Sequence, residues 1–370
     1  MPICDRWAYF DHAAVAPISR PARRAIEQWS QQSVEEGTVV WPQWEARIEE
    51  VRRVAAAMVN ARPAEIALVP NTTAGINLVA NGLDWREGDN MVTLANEFPS
   101  NLYPWMNLAK RGVETRRVEM PDGVVDINRI VDACDDRTRI VSVSWVGYAT
   151  GYRVDVRETA AAVHERGPLF FLDAIQGLGV FPLDVADAQV DFLAADGHKW
   201  MLGPEGAGVA YIRQDCLKEL RSCSVGWNSV SGRYDFNDIQ LQLREEAAHF
   251  EGGSQNMVGY HGFGASLELL AACGLGHRRS DIAERILEFS NKACQRIEDV
   301  GGRLRFPRIE GNDSGIVTFE MPGHDPTAIR KACLRAGVCV SCRGGGVRIS
   351  SHAYNNEQDI QRLVEVLQAL

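Results

Sequence analysis

A single lysine, Lys199, lies where an apolar run ends in a glycine-rich loop, within the stretch AADGHKWMLGPEGAG at residues 194–208. Most lysines lie on solvated surfaces, and a surface loop is the ordinary explanation. An amine held in a closed, partly desolvated site has a lowered pKa, however, and it can act as a nucleophile or form a Schiff base. The glycines allow the backbone to approach a ligand closely. This stretch therefore predicts a reactive amine, with His198 directly before it.

Two further loops carry residues suited to the same kind of site. In FFLDAIQG, Asp173 follows four apolar residues, and a buried carboxylate needs a partner such as a protonated heterocyclic nitrogen. Gln176 lies one short turn further on and can reach the same ligand. In PNTTAGIN, Thr72 and Thr73 begin a predicted helix whose free N–H groups suit a phosphate. Each feature alone also fits an ordinary helix cap or a structural ion pair.

Together the three loops predict one ligand. It has a phosphate for Thr72 and Thr73, a ring nitrogen for Asp173 and an aldehyde for Lys199. Pyridoxal 5′-phosphate has all three groups, and a lysine Schiff base with an acid on the pyridinium nitrogen is the usual arrangement for it. We therefore expect pyridoxal 5′-phosphate as the cofactor.

The elements that must position these loops follow from hydrophobic periodicity. Between about residues 64 and 212, short β-rich runs alternate with helical patterns, which predicts an α/β fold with a mostly parallel central sheet flanked by helices. The later sequence predicts a smaller α+β unit. We expect an N-terminal segment (1–20), a large α/β domain (21–265) and a small C-terminal α+β domain (266–370). Ligands of such sheets collect at the carboxyl ends of the strands, where the three loops lie.

Composition limits the classes of partner. The 370 residues carry a formal charge of −10, which disfavours nucleic acid or an anionic membrane as the main partner. No apolar stretch is long enough to span a membrane, and no signal sequence is evident. The nine scattered cysteines suit a reducing cytosol, so we expect a cytoplasmic protein. Cys339 and Cys342 form one C-x-x-C without a second pair, and no metal site is expected.

The amino-acid sequences of several segments, and their order along the chain, resemble those of the class V aminotransferase family of PLP-dependent enzymes (fold type I). The similarity extends over roughly residues 8–365. It rests on YFDHAAVAP, NTTAGINLVA, NEFPSNLYPW, FLDAIQG, DGHKWMLGPEGAGVAYI, FEGGSQN and VRISSHAYNNEQDI. The resemblance implies the PLP-dependent transferase fold. The family includes cysteine desulfurases, transaminases, kynureninases, isopenicillin N epimerase-like proteins and C–S lyases, so its fold alone does not determine the reaction.

The resemblance also implies roles for individual residues. Lys199 forms the Schiff base, Asp173 pairs with the pyridine nitrogen and Gln176 bonds the ring oxygen. Thr72 and Thr73 hold the phosphate. These residues form the expected cofactor site.

Four further residues complete the expected site. His198 contributes beside the lysine, and Phe98 stacks on the ring. Arg348 takes the substrate carboxylate in a bidentate grip, which suits guanidinium geometry. Ser254 lies where relatives often place a threonine that reaches the phosphate of the neighbouring subunit, which implies a homodimer with shared sites.

The sequence departs from the family at positions that bear on the reaction. Group II desulfurases carry a catalytic cysteine shortly before the carboxylate-binding arginine, whereas here Cys342 lies six residues before Arg348 and does not align with that nucleophile. Asp196 replaces a phosphate-binding serine, and we expect it to cap or pair elsewhere because its carboxylate repels a phosphate. The favoured interpretation is an aminotransferase- or lyase-type reaction at the α-carbon of a small α-amino acid. The alternatives are a cysteine desulfurase and a non-catalytic binding module.

Overall fold

The computed structural model describes all 370 residues and contains three β-sheets. The strands are β1 (Ala8–Tyr9), β2 (Ile66–Val69), β3 (Asn90–Leu94), β4 (Glu114–Val118), β5 (Thr138–Ser144), β6 (Leu169–Asp173), β7 (Phe192–Asp196), β8 (Gly208–Ile212), β9 (Arg303–Leu304), β10 (Ile316–Glu320), β11 (Val338–Cys339), β12 (Ser341–Arg343) and β13 (Gly346–Ser350).

The helices surround these sheets, together with short 3₁₀ turns. They are α1 (Arg20–Glu35), α2 (Trp41–Met58), α3 (Thr72–Gly82), α4 (Tyr103–Met106), α5 (Ile127–Asp132), α6 (Val156–Glu165), α7 (Met257–Ala272), α8 (Asp281–Asp299), α9 (Pro326–Arg335) and α10 (Glu357–Gln368). None of them is both long enough and apolar enough to cross a membrane.

The central sheet has seven strands in the order β2-β8-β7-β6-β5-β3-β4. Strand β8 is antiparallel to both of its neighbours, and the remaining pairs are parallel. Strands β3, β7 and β8 are buried along their whole length because helices cover both faces, which is why their sequences are mostly apolar. The predicted α/β fold with a mostly parallel central sheet is confirmed.

The C-terminal part contains a four-stranded antiparallel sheet in the order β12-β13-β10-β9. Helices α8, α9 and α10 pack beside it around their own apolar core. This arrangement is the predicted α+β unit. The predicted boundary between residues 265 and 266 lies within α7, and a division of the chain at that position stays a prediction.

The N-terminal segment joins the two parts of the molecule. Strand β1 pairs with β11 in parallel, and the Phe10 carbonyl accepts a hydrogen bond from the Ser350 N–H at 2.7 Å. A few residues later, the Ala16 N–H donates to the His198 carbonyl at 2.7 Å. Residues 8–16 therefore contact both the C-terminal sheet and the loop that carries the predicted reactive lysine.

Helix α3 lies close to β7 because Gly75 has no side chain. A Cβ at this position would lie 2.6 Å from the Ala194 Cβ, which is shorter than van der Waals contact. Asn71 caps the helix by accepting from the Ala74 N–H at 2.8 Å. The first turn of α3 is thereby held beside the carboxyl end of β7.

We expect Gly75→Ala to destabilise the protein by about 1–3 kcal/mol, the usual cost of an extra methyl group in a packed core. The measurement is the urea midpoint of unfolding. Gly232→Ala is the matched control, because a Cβ there meets nothing within 4 Å. Equal midpoints for the two variants would show that α3 can move away from β7 without cost.

Candidate active site

Two strand ends and a helix terminus surround one cavity of about 240 Å³. Strand β6 ends at Asp173, β7 ends at Asp196, and α3 begins at Thr72. Because β6 and β7 are parallel neighbours, their carboxyl ends meet at the same edge of the sheet. Most predicted site residues line the cavity: Thr72, Phe98, Asp173, Gln176, His198, Lys199 and Arg348.

Lys199 is buried in the turn that follows β7, with 7% of its surface exposed. The pKa of its amine is lowered to about 8, chiefly by burial; the charge of Asp173 opposes this shift, and the charge of Arg348 adds to it. Its Nζ lies 5.4 Å from the centre of the Phe98 ring. A substantial fraction of this amine is thus neutral near neutral pH and able to act as a nucleophile or a base.

The turn around Lys199 is tied down by backbone hydrogen bonds. The Leu202 N–H donates to the Lys199 carbonyl at 3.1 Å, and the Gly203 N–H donates to the Gly197 carbonyl at 2.8 Å. Gly197 packs so closely on Phe263 that a Cβ would lie 2.7 Å from its ring. The lysine backbone is therefore fixed, whereas its side chain projects into the cavity.

Asp173 is almost completely buried at the end of β6. Its carboxylate accepts one hydrogen bond from the protein, from the Ile175 N–H at 3.1 Å. Burial raises the pKa of the carboxyl to about 6, against the opposing effects of this N–H and of the Lys199 charge. The group is an acceptor that lacks a cationic hydrogen-bond partner from the chain.

The N-terminus of α3 forms a third side of the cavity. The Thr72 Oγ1 accepts from the Asp196 N–H at 3.0 Å, which joins the helix to the end of β7. Thr73 donates through Oγ1 to Ser100 Oγ at 2.9 Å, and Ser100 lines the cavity whereas Thr73 does not. Thr72 therefore lines the cavity, whereas Thr73 does not line it and only hydrogen-bonds Ser100, which does.

His198 and Asp196 form a pair beside the lysine. Their Nδ1 and Oδ2 atoms are 2.9 Å apart, but the ring nitrogen is not aligned for a hydrogen bond. Asp196 Oδ1 is buried and has no hydrogen-bond partner. Asp196 itself lines the cavity, with its Oδ2 facing His198, and its expected pairing away from the phosphate stays a prediction.

Gln176 and Phe98 lie on other sides of the cavity. The Gln176 Oε1 accepts from the Trp200 Nε1 at 2.7 Å, and its Nε2 donates to the Ala13 carbonyl at 3.0 Å, so one N–H of the amide is left for a ligand. Phe98 is 38% exposed, and its ring contacts Tyr148 edge-on with centroids 5.3 Å apart. The Phe98 side chain is therefore partly exposed where it lines the cavity.

Arg348 lies on β13 with its side chain buried. Its Nε donates to Ser341 Oγ at 3.1 Å, its Nη1 to the Tyr148 carbonyl at 2.8 Å and its Nη2 to Asp11 Oδ1 at 3.1 Å. A guanidinium has five N–H donors, so one on each Nη remains. Two such donors suit bidentate binding of a carboxylate.

Two residues singled out in the sequence lie outside this cavity. Ser254 lines two other cavities, one of them beside Trp41 and Trp227. Cys342 is half-buried, and its Sγ donates to the Pro326 carbonyl at 3.3 Å. None of the cysteines lines the site cavity.

Several functional neighbours were missed in the sequence. Asp11, within YFDHAAVAP, pairs with Arg348 although 337 residues separate them. Glu97, within NEFPSN, accepts from the Ser144 N–H at 2.7 Å, and burial raises the pKa of its carboxyl to about 7 against the opposing Ser144 hydrogen bond. Arg343 lines the cavity directly. The carboxylate shortly after the apolar end of β3 was the signal for Glu97, whereas the positions of the other two depend on long-range pairing.

A family model described as aminotransferase class-V matches residues 8–363. A probable cysteine desulfurase of Methanothermobacter thermautotrophicus is 32% identical over 392 residues, covering 100% of this chain and 96% of the relative. A probable cysteine desulfurase of Pyrococcus abyssi is 28% identical, with the same coverage.

Solved structures have the same fold. The apo cysteine desulfurase from Thermococcus onnurineus NA1 superposes with a TM-score of 0.89 at 25% identity, covering 100% of this chain and 96% of that one. The cystine C–S lyase C-DES, in complex with its reaction product cysteine persulfide, superposes with a TM-score of 0.92 at 23% identity, covering 99% and 98%. The second similarity concerns the fold alone.

The pKa of Asp173 predicts a pH-dependent gain in stability for Asp173→Asn. Because the folded-state pKa is about 6 and the ordinary value is 3.8, the wild type loses stability as the pH rises through about 6, and the asparagine variant does not. The free energy of unfolding of Asp173→Asn relative to wild type should increase by about 1 kcal/mol between pH 5 and 7, which corresponds to about 2 °C in melting temperature. Above pH 7 the difference should level off.

The measurement is thermal melting from pH 5 to 8, on protein stripped of bound small molecules with hydroxylamine. Asp136→Asn, which removes the same charge from an exposed position, is the control. A constant difference between Asp173→Asn and wild type across this range would contradict the burial of an ionisable group at position 173.

Proposed function

This chain belongs to the aminotransferase class-V family, and from that premise we propose that it is a pyridoxal 5′-phosphate enzyme acting at the α-carbon of a small α-amino acid. Two buried groups of opposite charge, Asp173 and Lys199, support this function. They lie at the ends of neighbouring strands and line one cavity with the N-terminus of α3. An amine, a carboxylate and an anion-binding helix terminus are the three groups that this cofactor requires.

The residues of the cavity fit the cofactor. Asp173 lacks a cationic hydrogen-bond partner, which a pyridinium nitrogen can supply, and Phe98 is a partly exposed aromatic side chain that lines the cavity. The N–H groups at the start of α3, with Thr72 and Ser100, suit the phosphate. Asp196 is the exception, because its unpaired oxygen carries negative charge near that end, and we assign the compensating contact to His198.

When bound, the cofactor supplies an aldehyde for amines and a ring that accepts an electron pair from the α-carbon. The chain orients the substrate. We assign the α-carboxylate to the two free donors of Arg348, whose other three N–H groups are held by Ser341, Tyr148 and Asp11. A guanidinium fixed at three points holds a carboxylate in one direction and thereby places the α-carbon relative to Lys199.

Lys199 is the group that moves the proton. When it is not bound to the cofactor, its Nζ would take the α-proton as a general base. A pKa near 8 makes it effective close to neutral pH. The buried carboxylate of Asp173 would stabilise positive charge on the ring nitrogen of the cofactor. Removal of the α-proton is common to transamination and to β-elimination.

The absence of a cysteine from the cavity favours a transamination or lyase-type elimination without a protein thiol. Residues alternate across a strand, so Ser341 and Arg343 of β12 share the site face and Cys342 lies on the other. A desulfurase needs a thiol that reaches the substrate sulfur. The second candidate, cysteine desulfurase, is nevertheless the name of relatives up to 32% identical, and it is tested directly below.

We also propose a homodimer with shared sites. Ser254 does not line the cavity of its own chain, so its predicted contact with a phosphate requires a second copy. The nearby segment carries large exposed apolar side chains that a partner surface can cover, namely Trp227, Phe236, Ile239 and Leu241.

The cofactor assignment predicts a visible absorption band in wild-type protein supplied with pyridoxal 5′-phosphate. Borohydride should remove the band and leave the cofactor covalently attached to Lys199, as mapped by mass spectrometry. Lys199→Ala should give no adduct and lose activity by a factor of at least about 10². Lys110→Ala, at an exposed position, is the control. Cofactor uptake without any spectral change on addition of amino acids would indicate the binding module instead.

The position of Cys342 predicts that its thiol is dispensable. With L-cysteine as substrate, Cys342→Ala should keep turnover within about twofold of wild type, because the thiol faces away from the reacting atoms. The measurement follows alanine, pyruvate and ammonia together, and Cys339→Ala is the matched control on the neighbouring strand. Loss of alanine formation only in Cys342→Ala, with an intact cofactor band, would establish the desulfurase mechanism.

A further inference from the structure

A tight hairpin at the mouth of the cavity fixes the position of Arg343. Strands β12 and β13 are joined by Gly344 and Gly345, whose φ angles are 55° and 76°. Two consecutive residues with positive φ form the two-residue turn that matches the twist of antiparallel strands. Arg343 pairs directly with Gly346 across the turn. Its backbone therefore belongs to a regular hairpin rather than to a flexible loop.

Strand alternation directs the Arg343 side chain to the site. Ser341 faces the site, because its Oγ accepts from Arg348 Nε. Cys342 faces the other side, where its Sγ donates to the Pro326 carbonyl. Arg343 is two residues beyond Ser341 on the same face, and it lines the cavity together with Lys199 and Arg348.

Unlike Arg348, Arg343 has no acidic partner. The charge of Arg348 is balanced by Asp11, whose Oδ1 lies 3.1 Å from Nη2. Arg343 makes one side-chain hydrogen bond, from Nη1 to the Cys342 carbonyl at 2.7 Å, and no ion pair. The acidic residues that line the same cavity are Asp173 and Asp196, and neither is within salt-bridge distance of it. Its remaining four N–H donors are unoccupied.

We propose that Arg343 binds a second anionic group, located at the end of the substrate side chain. The substrate class is then an α-amino acid whose side chain ends in an oxyacid group, such as a carboxylate. Because this assignment rests on the proposed function, Arg348 holds the α-carboxylate and Arg343 reads the side chain. We assign these two roles because the charge of the buried Arg348 is balanced by Asp11, whereas the charge of the exposed Arg343 at the mouth of the cavity is not balanced.

The test compares unreactive ligands that differ in one charge. Succinate and glutarate are each measured against their monoamides by titration calorimetry, since carboxylate and amide have nearly the same shape. Wild type should bind at least one dicarboxylate about tenfold more tightly than its monoamide, as expected for a close charge pair at a partly exposed site. The preference should weaken as salt is added.

Variants test whether the preference for a dicarboxylate over its monoamide depends on the Arg343 side chain. Arg343→Gln should abolish it and leave monoamide binding within about twofold of wild type, and Arg343→Lys should restore part of it. Arg305→Gln is the matched control, because Arg305 lies beside the same hairpin but pairs with Glu320 outside the cavity. Retention of the full preference in Arg343→Gln, or no preference in wild type, overturns the assignment.

The same protein samples are treated with pyridoxal 5′-phosphate and borohydride, which separates the two proposals. An adduct at Lys199 without any charge preference means that the proposed function stands and the Arg343 subsite fails. A charge preference that depends on Arg343 without an adduct means that the anion subsite stands and the proposed function fails.

Discussion

The burial of an amine and a carboxylate at neighbouring strand ends is the constraint on which the site depends. Lys199 and Asp173 are each less than a tenth exposed. Burial lowers the pKa of Lys199 and raises that of Asp173, and both shifts favour the neutral form of the group. Ionised groups in such surroundings are costly unless a partner compensates them. The chain leaves this compensation incomplete, since Asp173 receives one backbone N–H from the protein. This incomplete compensation distinguishes the pair from a structural ion pair and supports the proposal that the cavity binds a charged ligand.

The rest of the fold holds these two groups in place. The parallel pairing of β6 and β7 sets their backbones side by side, and Gly75 lets α3 approach the same edge. The N-terminal segment then links this edge to the C-terminal sheet: the Ala13 carbonyl accepts from Gln176, while the Ala13 N–H donates to Ser350 Oγ. A displacement of the N-terminal segment therefore affects the cofactor side and the substrate side together, because the same few residues contact both.

Local signals in the sequence were sufficient for the fold class and for the centre of the site. An apolar run that ends in a carboxylate pointed to Asp173, and an apolar run that continues into a glycine-rich loop pointed to Lys199. Family resemblance was needed for Arg348, since nothing local marks its role. Asp11 and Arg343 were not found, because their position depends on contacts between the two ends of the chain and on the register of a hairpin. No periodicity in a short segment encodes such pairing.

The register of the β12–β13 hairpin determines both that the Cys342 thiol is absent from the cavity and that the Arg343 guanidinium lines it. In a strand, neighbouring residues face opposite sides, so Cys342 and Arg343 cannot both reach the cavity. A slip of one residue would exchange them, but it would also turn Ser341 away from Arg348 and break the hydrogen bond that orients the guanidinium. The two-glycine turn, closed by the pairing of Arg343 with Gly346, opposes that slip. The geometry that orients Arg348 through Ser341 is thus the same geometry that keeps Cys342 out of the cavity and places Arg343 at it.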